Sequence, residues 1–279
     1  MDVIASRKNP FVTTVRRVAD GDDRDRVLLD GLHLLEEARA AQIPIASAAF
    51  TAKALSGVDG RARRLAAALA GTGVRVVQVT DPVMEALSPT TNPSGVVAVA
   101  TRPRHALDAV IGRPGGPPAL VVVAVDVQDP GNVGAIARVA EAAGATGYVV
   151  AGQSADPFGW KALRGSMGSV LRLPTVHDGD PTTVAGVLRA QRLQCLAAAP
   201  SGAISFDAID WRGPIACFVG SEGGGLPEAL LAMADRRVRI PMAEPVESLN
   251  VAVSAGLLLY EARRQRAGRV QPVAALEQP

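Results

Sequence analysis

With 279 residues, 48% of them hydrophobic, and a formal net charge of +2, the chain has material for one large or two medium domains with a sizeable core. No apolar run approaches the ~20 residues of a membrane-spanning helix and the opening MDVIASRKNP has no apolar signal core, so a cytoplasmic protein with no membrane partner is expected. Three histidines and two cysteines are scattered at no metal-ligand spacing, and Cys195 and Cys217, both in β-like runs, read as reduced buried thiols.

In chain order, the opening SRKNPFVTTVRRV carries Arg7, Lys8, Arg16 and Arg17, either an RNA-facing edge or a solvated face. Strands are predicted at 26–29, 45–50, 74–79 and 95–100, with helices at Leu32–Ala40, Arg61–Ala70 and Pro82–Leu87, which makes a small α/β domain. Residues 1–105 hold 14 Lys or Arg against 11 Asp or Glu, a mildly basic balance and weak support for a nucleic-acid partner. A Pro- and Gly-rich stretch, Thr101–Pro118, then separates the two blocks, and residues 106–118 read as a linker.

The second block opens on ALVVVAVD, a continuous apolar run expected of a strand buried on both faces of a parallel sheet. Helix-like AIARVAEAAG, strand YVVA, a helix near 161–167, strand LRLPTV, a helix near 184–191, strands QCLAAA and IACFVG, a helix near 227–234, strand RVRI and a last helix from about Leu249 to Arg266 follow. This alternation predicts a mainly parallel α/β sheet, whose ligands bind at the C-terminal ends of its strands.

Three loops occupy such ends. DVQDPGNVGAIAR, residues 126–138, offers Gly131 and Gly134 for a tight turn and close backbone approach to a ligand, Asn132 near a helix start, and Arg138 less than two turns further on. It lacks both the Gly-Lys-Ser/Thr ending of a phosphate loop and the full spacing of a dinucleotide loop. FVGSEGGGLP places Glu222 among glycines, where little can pack around it and where it could hold an amine, a hydroxyl or an adjacent arginine. IPMAEPVESLNVAVSAG runs from a strand end into a helix that Ser248 or Asn250 can cap.

Taken in order, NVGAIAR, GSEGGG and IPM with SLNVAVS resemble the three motifs of the SpoU family, the TrmH-like branch of the SPOUT RNA methyltransferases, over residues 119–267. VLLDGLHLLEEA and TTNPSGVVAVA are similar to the substrate-binding domain often joined to these enzymes, of ribosomal-protein-L30e-like fold, with Asp30 where Glu is usual. The resemblance implies an RNA substrate-binding domain at 1–105, and at 119–279 a parallel sheet with a trefoil knot that binds S-adenosylmethionine. It implies cofactor contacts at Gly220, Ile240, Leu249 and Ala199, and a catalytic Arg138 with Asn132, Glu222, Ser248 and Asn250 as further polar site residues.

A guanidinium is a poor general base, so orienting the ribose and phosphate is the role its chemistry supports best. The family acts as a homodimer, and Ala252, Ala255 and Gly256 suit close packing of the last helix, in a dimer or an ordinary core. Methylation of an RNA ribose 2′-hydroxyl follows, in ribosomal RNA ahead of tRNA, with an antibiotic-resistance enzyme as a narrower form. Two rivals stand beside it. One is a non-catalytic RNA-binding assembly factor; the other is a nucleotide-dependent oxidoreductase, for which YVVAGQSADPF offers only Asp156, several residues late.

Overall fold

The computed structural model describes residues 1–177, 179–221 and 223–267. The first sheet contains β1 (Asp2–Ile4), β2 (Arg26–Asp30), β3 (Ile45–Thr51), β4 (Arg75–Val79) and β5 (Val96–Thr101), in the order β1-β4-β3-β5-β2. β1, β4 and β3 are parallel, and β5 runs antiparallel to β3 and β2. Around them lie α1 (Pro10–Ala19), α2 (Leu32–Ala40), α3 (Ala52–Leu55), α4 (Arg61–Ala70) and α5 (Asp81–Leu87).

Period-two alternation splits this sheet's side chains: Val27 and Leu29 face α2 and α4, whereas Leu28 joins Phe11, Val15, Met84 and Leu87 on the other face. The opening segment, read from the sequence only as a basic stretch, forms α1, and β1 lies just before it. Asn9 caps α1 by accepting from Phe11 N at 2.9 Å, Pro10 occupies its first turn, and Phe11, Val12, Val15 and Val18 are the buried stripe. Arg61, at the start of α4, pairs with Glu36 of α2.

The second sheet contains β6 (Leu120–Val125), β7 (Gly147–Ala151), β8 (Thr175–His177), β9 (Gln194–Ala198), β10 (Ile204–Ser205), β11 (Ile215–Val219) and β12 (Arg236–Arg239). Among the described residues its order is β10-β12-β9-β11-β6-β7-β8 and every pairing is parallel. Its helices are α6 (Pro130–Ala143), α7 (Trp160–Ser166), α8 (Ser169–Arg172), α9 (Pro181–Ala190), α10 (Glu228–Met233) and α11 (Val251–Arg266). Leu120, Val122 and Ala124 pack toward α6 and α11, and Val121, Val123 and Val125 toward α9 and α10, so β6 is fully buried as its unbroken apolar run requires. LRLPTV divides: left-handed Met167 and Gly168 break α7, residues 169–172 turn as α8, and only Thr175–His177 is strand. In the segment read as a linker, Leu107–Ile111 forms a 3-10 turn and the buried Val110 packs on the second sheet's core.

β12 lies between β9 and β10, so residues 199–203 must cross it as a strap. Ala199 N donates to Val238 O, Arg239 Nη1 donates to Gly202 O and Ala203 O, and a Cβ on Gly202 would fall 2.6 Å from Val238 C. Only glycine fits under that approach.

The two sheets meet along α7 and α8. Trp160 packs on the first domain's core, Arg102 grips Asp156 through two 2.7 Å hydrogen bonds while lying over the Phe158 ring, and Arg172 joins Glu37 of α2 to Glu141 of α6. Burial works against ionised Asp156, but the Arg102 hydrogen bonds and charge outweigh it and leave the carboxyl below its usual range.

Candidate active site

The C-terminal ends of β9, β11 and β12 open onto one cleft of about 340 Å³. Ala198 lines it from the end of β9, Ala199 and Pro200 from the strap, Val219 and Gly220 from the end of β11, and Ile240, Met242, Ser248 and Leu249 from the segment leading to α11. The glycine run folds back on itself: Gly225 N donates to Ser221 O at 3.0 Å, Gly224 N to Ser221 Oγ at 3.2 Å, and Gly225 is left-handed at φ 62. A Cβ on Gly220 would lie 2.2 Å from Gly225 O. Gly220 is therefore fixed by loop closure as well as by its place at the cleft.

A second, polar chamber of about 330 Å³ adjoins the first, sharing Ser221, Gly223 and Val251 and bounded by Asp126, Gln128, Asp129 and Asn132. Asp126 is left-handed at φ 56 and its carboxylate accepts from Gln153 N at 2.7 Å, tying the β6 and β7 loops together. Asp129, rather than Asn132, caps α6, accepting from Asn132 N at 3.0 Å. The buried Tyr148 hydroxyl donates to Val133 O from beneath, and burial pushes its pKa up.

Asn250 caps α11, accepting from Ala252 N at 3.0 Å and Val253 N at 3.3 Å, while its Nδ2 donates to Asn132 Oδ1 at 3.0 Å. A single side chain thus sets a helix start and joins loops 118 residues apart in sequence.

The structure gathers Ala199, Gly220, Ile240, Ser248 and Leu249 around one cleft and ties Asn132 to Asn250 beside it. Glu222 lies outside the described residues. Arg138 is exposed on α6 and lines neither chamber, about 9 Å along the helix from Asn132.

One sequence expectation changes and one open alternative narrows. Gly134 serves helix packing, not a ligand, because a Cβ there would sit 2.3 Å from Ala162 O of α7. Ala255 and Gly256 face into the chain, Ala255 fully buried and Gly256 against Val139 of α6, while Val253, Leu257 and Tyr260 are the exposed large hydrophobic residues of α11. Sequence reasoning also missed Met242, Val251, Ser254, Gln128 and Asp129 as lining residues, although all fall within or beside the three loops. Cys195 and Cys217 are free and buried in β9 and β11, and burial pushes their thiols up to about 11 and about 12.

Residues 119–260 match the SpoU rRNA Methylase family and residues 9–98 the MRM3-like substrate binding domain. The chain is 36% identical over 266 residues to an uncharacterized tRNA/rRNA methyltransferase of Synechocystis, covering 94% of both chains. It is 30% identical to the 23S rRNA (guanosine(2553)-2′-O)-methyltransferase RlmP of Bacillus subtilis, covering 94% of this chain and 100% of that one. Its fold superposes on the SpoU methyltransferase AviRb of Streptomyces viridochromogenes, solved with AdoMet, at a TM-score of 0.82 and 28% identity over 94% of this chain and 99% of that one. The match spans both domains and includes the loops that build the cleft, and the chain belongs to the SpoU rRNA methylase family.

Proposed function

We propose that this protein methylates a ribose 2′-hydroxyl in 23S ribosomal RNA, in the cytoplasm, with S-adenosylmethionine as methyl donor. The observation that carries the reading is the apolar cleft adjoining a polar chamber lined by Asn132, which is hydrogen-bonded to Asn250. The donor set fits an amphiphilic nucleoside: Ile240, Leu249 and Val219 offer apolar walls for a purine, and the glycine loop and strap offer backbone groups for its edges. A volume of about 340 Å³ lies within the ~300–1,000 Å³ usual for such ligands. When bound, S-adenosylmethionine supplies an electrophilic sulfonium methyl group.

The chain's own residues do the rest. Asn132 and Asn250 hold the ribose, Ser248 bonds at the cleft mouth, and Glu222 positions a cationic or hydroxyl group. Arg138 holds the adjoining phosphate and stabilises developing negative charge on the 2′-oxygen.

Arg138 lines neither chamber of its own chain, and Val253, Leu257 and Tyr260 form an exposed apolar stripe at i, i+4 and i+7 on α11. We read these as the two halves of a homodimer in which one protomer's Arg138 completes its partner's site. The strap over β12, with α11 following beyond it, supports a trefoil knot as the means of holding the cleft open. RlmP and the other rRNA-methylating relatives support ribosomal RNA over tRNA. Transfer of labelled methyl from S-adenosylmethionine to total RNA, with mapping of 2′-O-methyl nucleotides, tests the reading. Label at one 23S ribose is expected, falling about a hundredfold or more in Arg138→Ala. Label on a base, or none, overturns it.

A further inference from the structure

Many arginines of this chain are neutralised on its own surface. Arg61 meets Glu36, Arg104 meets Asp25, Arg172 meets Glu37 and Glu141, and Arg212 meets Asp210. Lys161 and Arg164, like Arg16, Arg17, Arg63 and Arg64, are not among them, and these two stand at the seam between the sheets. Both are exposed, they stand three residues apart on one face of α7, and neither ion-pairs with a described carboxylate, while Ala162, Leu163 and Ser166 bury the opposite face. The Lys161 ammonium lies 5.4 Å from the Trp160 ring centroid, and Trp160 is anchored on the first domain's core, so this charge is held at the seam. Arg164 faces Asp30, but that carboxylate accepts from Ser88 Oγ at 3.2 Å and makes no ion pair with the guanidinium.

The place of α7 gives these charges meaning. On one side it abuts β2, whose last residue, Asp30, opens the Gly31 loop of the first domain. On the other it crosses α6 at Gly134, with Asn132 two residues before the crossing and Arg138 one turn after it. The Arg102–Asp156 and Glu37–Arg172–Glu141 pairs fix this arrangement from both ends of the seam.

We propose that Lys161 and Arg164 form a phosphate track that carries the RNA strand across the seam, from the substrate-binding domain to the methyl-transfer chamber. The inference rests on the RNA reading above and names the surface that serves it. Two exposed cations that make no ion pair among the described residues suit a polyanion's backbone and carry no base information, so they contribute affinity and register rather than choice of base.

The test uses the full chain, an unmodified 23S rRNA transcript and filter binding over a series of potassium chloride concentrations. The variants are Lys161→Ala, Arg164→Ala, the double charge reversal Lys161→Glu with Arg164→Glu, and Arg212→Ala as a control at the opposite end of the strands. Each alanine variant should reduce the slope of log affinity against log salt by about 0.7–0.9 and raise the low-salt Kd several-fold. KM for RNA should rise with kcat little changed, S-adenosylhomocysteine affinity by calorimetry should be unaltered, and Arg212→Ala should match the wild type. An unchanged salt slope in the charge-reversal protein, while the wild type still methylates the transcript, overturns the track alone. A wild type that neither binds nor methylates the transcript overturns the RNA reading and the track with it.

Discussion

Single residues in this site answer to more than one demand. Gly220 lines the cleft, yet its lack of a side chain is required by Gly225 O, which a Cβ would approach to 2.2 Å. Gly220→Ala must push back the loop that forms one wall, an overpacking cost of about 1–3 kcal/mol. We expect S-adenosylhomocysteine affinity to fall tenfold or more while the thermal transition stays cooperative; calorimetry beside a melt checks this, and undiminished affinity would show that the loop yields freely. Arg138 behaves differently, being exposed and distant from the cleft of its own chain. In the proposed reaction its part is positioned charge, since a guanidinium is a poor general base.

At the scale of elements, the start of α11 is where helix formation and site assembly coincide. Asn250 is both N-cap and donor to Asn132, so the two roles can be separated by chemistry. Asn250→Asp keeps an oxygen for Ala252 N and Val253 N but loses the amide donor; Asn250→Ala loses both. The aspartate variant should melt like the wild type with methyl transfer cut at least tenfold, whereas alanine should also lose about 1 kcal/mol of stability. Full activity in the aspartate variant would show that the asparagine pair is only structural. The α6–α7 crossing shows a similar economy, because Gly134 and Gly165 bring the site helix and the proposed phosphate-track helix into backbone contact.

For the whole molecule, the proposed role of Arg138 requires it to serve a cleft that it does not line in its own chain. Co-expression of Arg138→Ala with Leu249→Asp subunits tests this, since each homodimer lacks one component of every site. If one protomer's arginine serves its partner's cleft, the mixed dimer regains one intact site and roughly half the wild-type activity. Silent mixed dimers would place the arginine and the cleft in the same chain. At the seam between domains, Trp160, Arg102 and Arg172 anchor the first domain to the second.

Much of this was legible before folding. Local chemistry writes itself into sequence: the apolar run at β6, the Asn-capped start of α11 and the glycine loop after β11 each follow from backbone demands that few residue types meet. The family motifs also marked Gly220, Ile240, Ser248 and Leu249, which line one cleft. Tertiary structure decided what depends on contacts far apart in the chain. It turned Gly134 from a ligand turn into a helix crossing, required Gly202 beneath the strap, joined Asn132 to Asn250 and left Arg138 outside its own chain's cleft. A sequence fixes which atoms are available and which local conformations they favour, whereas the distance between residues remote in sequence is set by how whole elements pack.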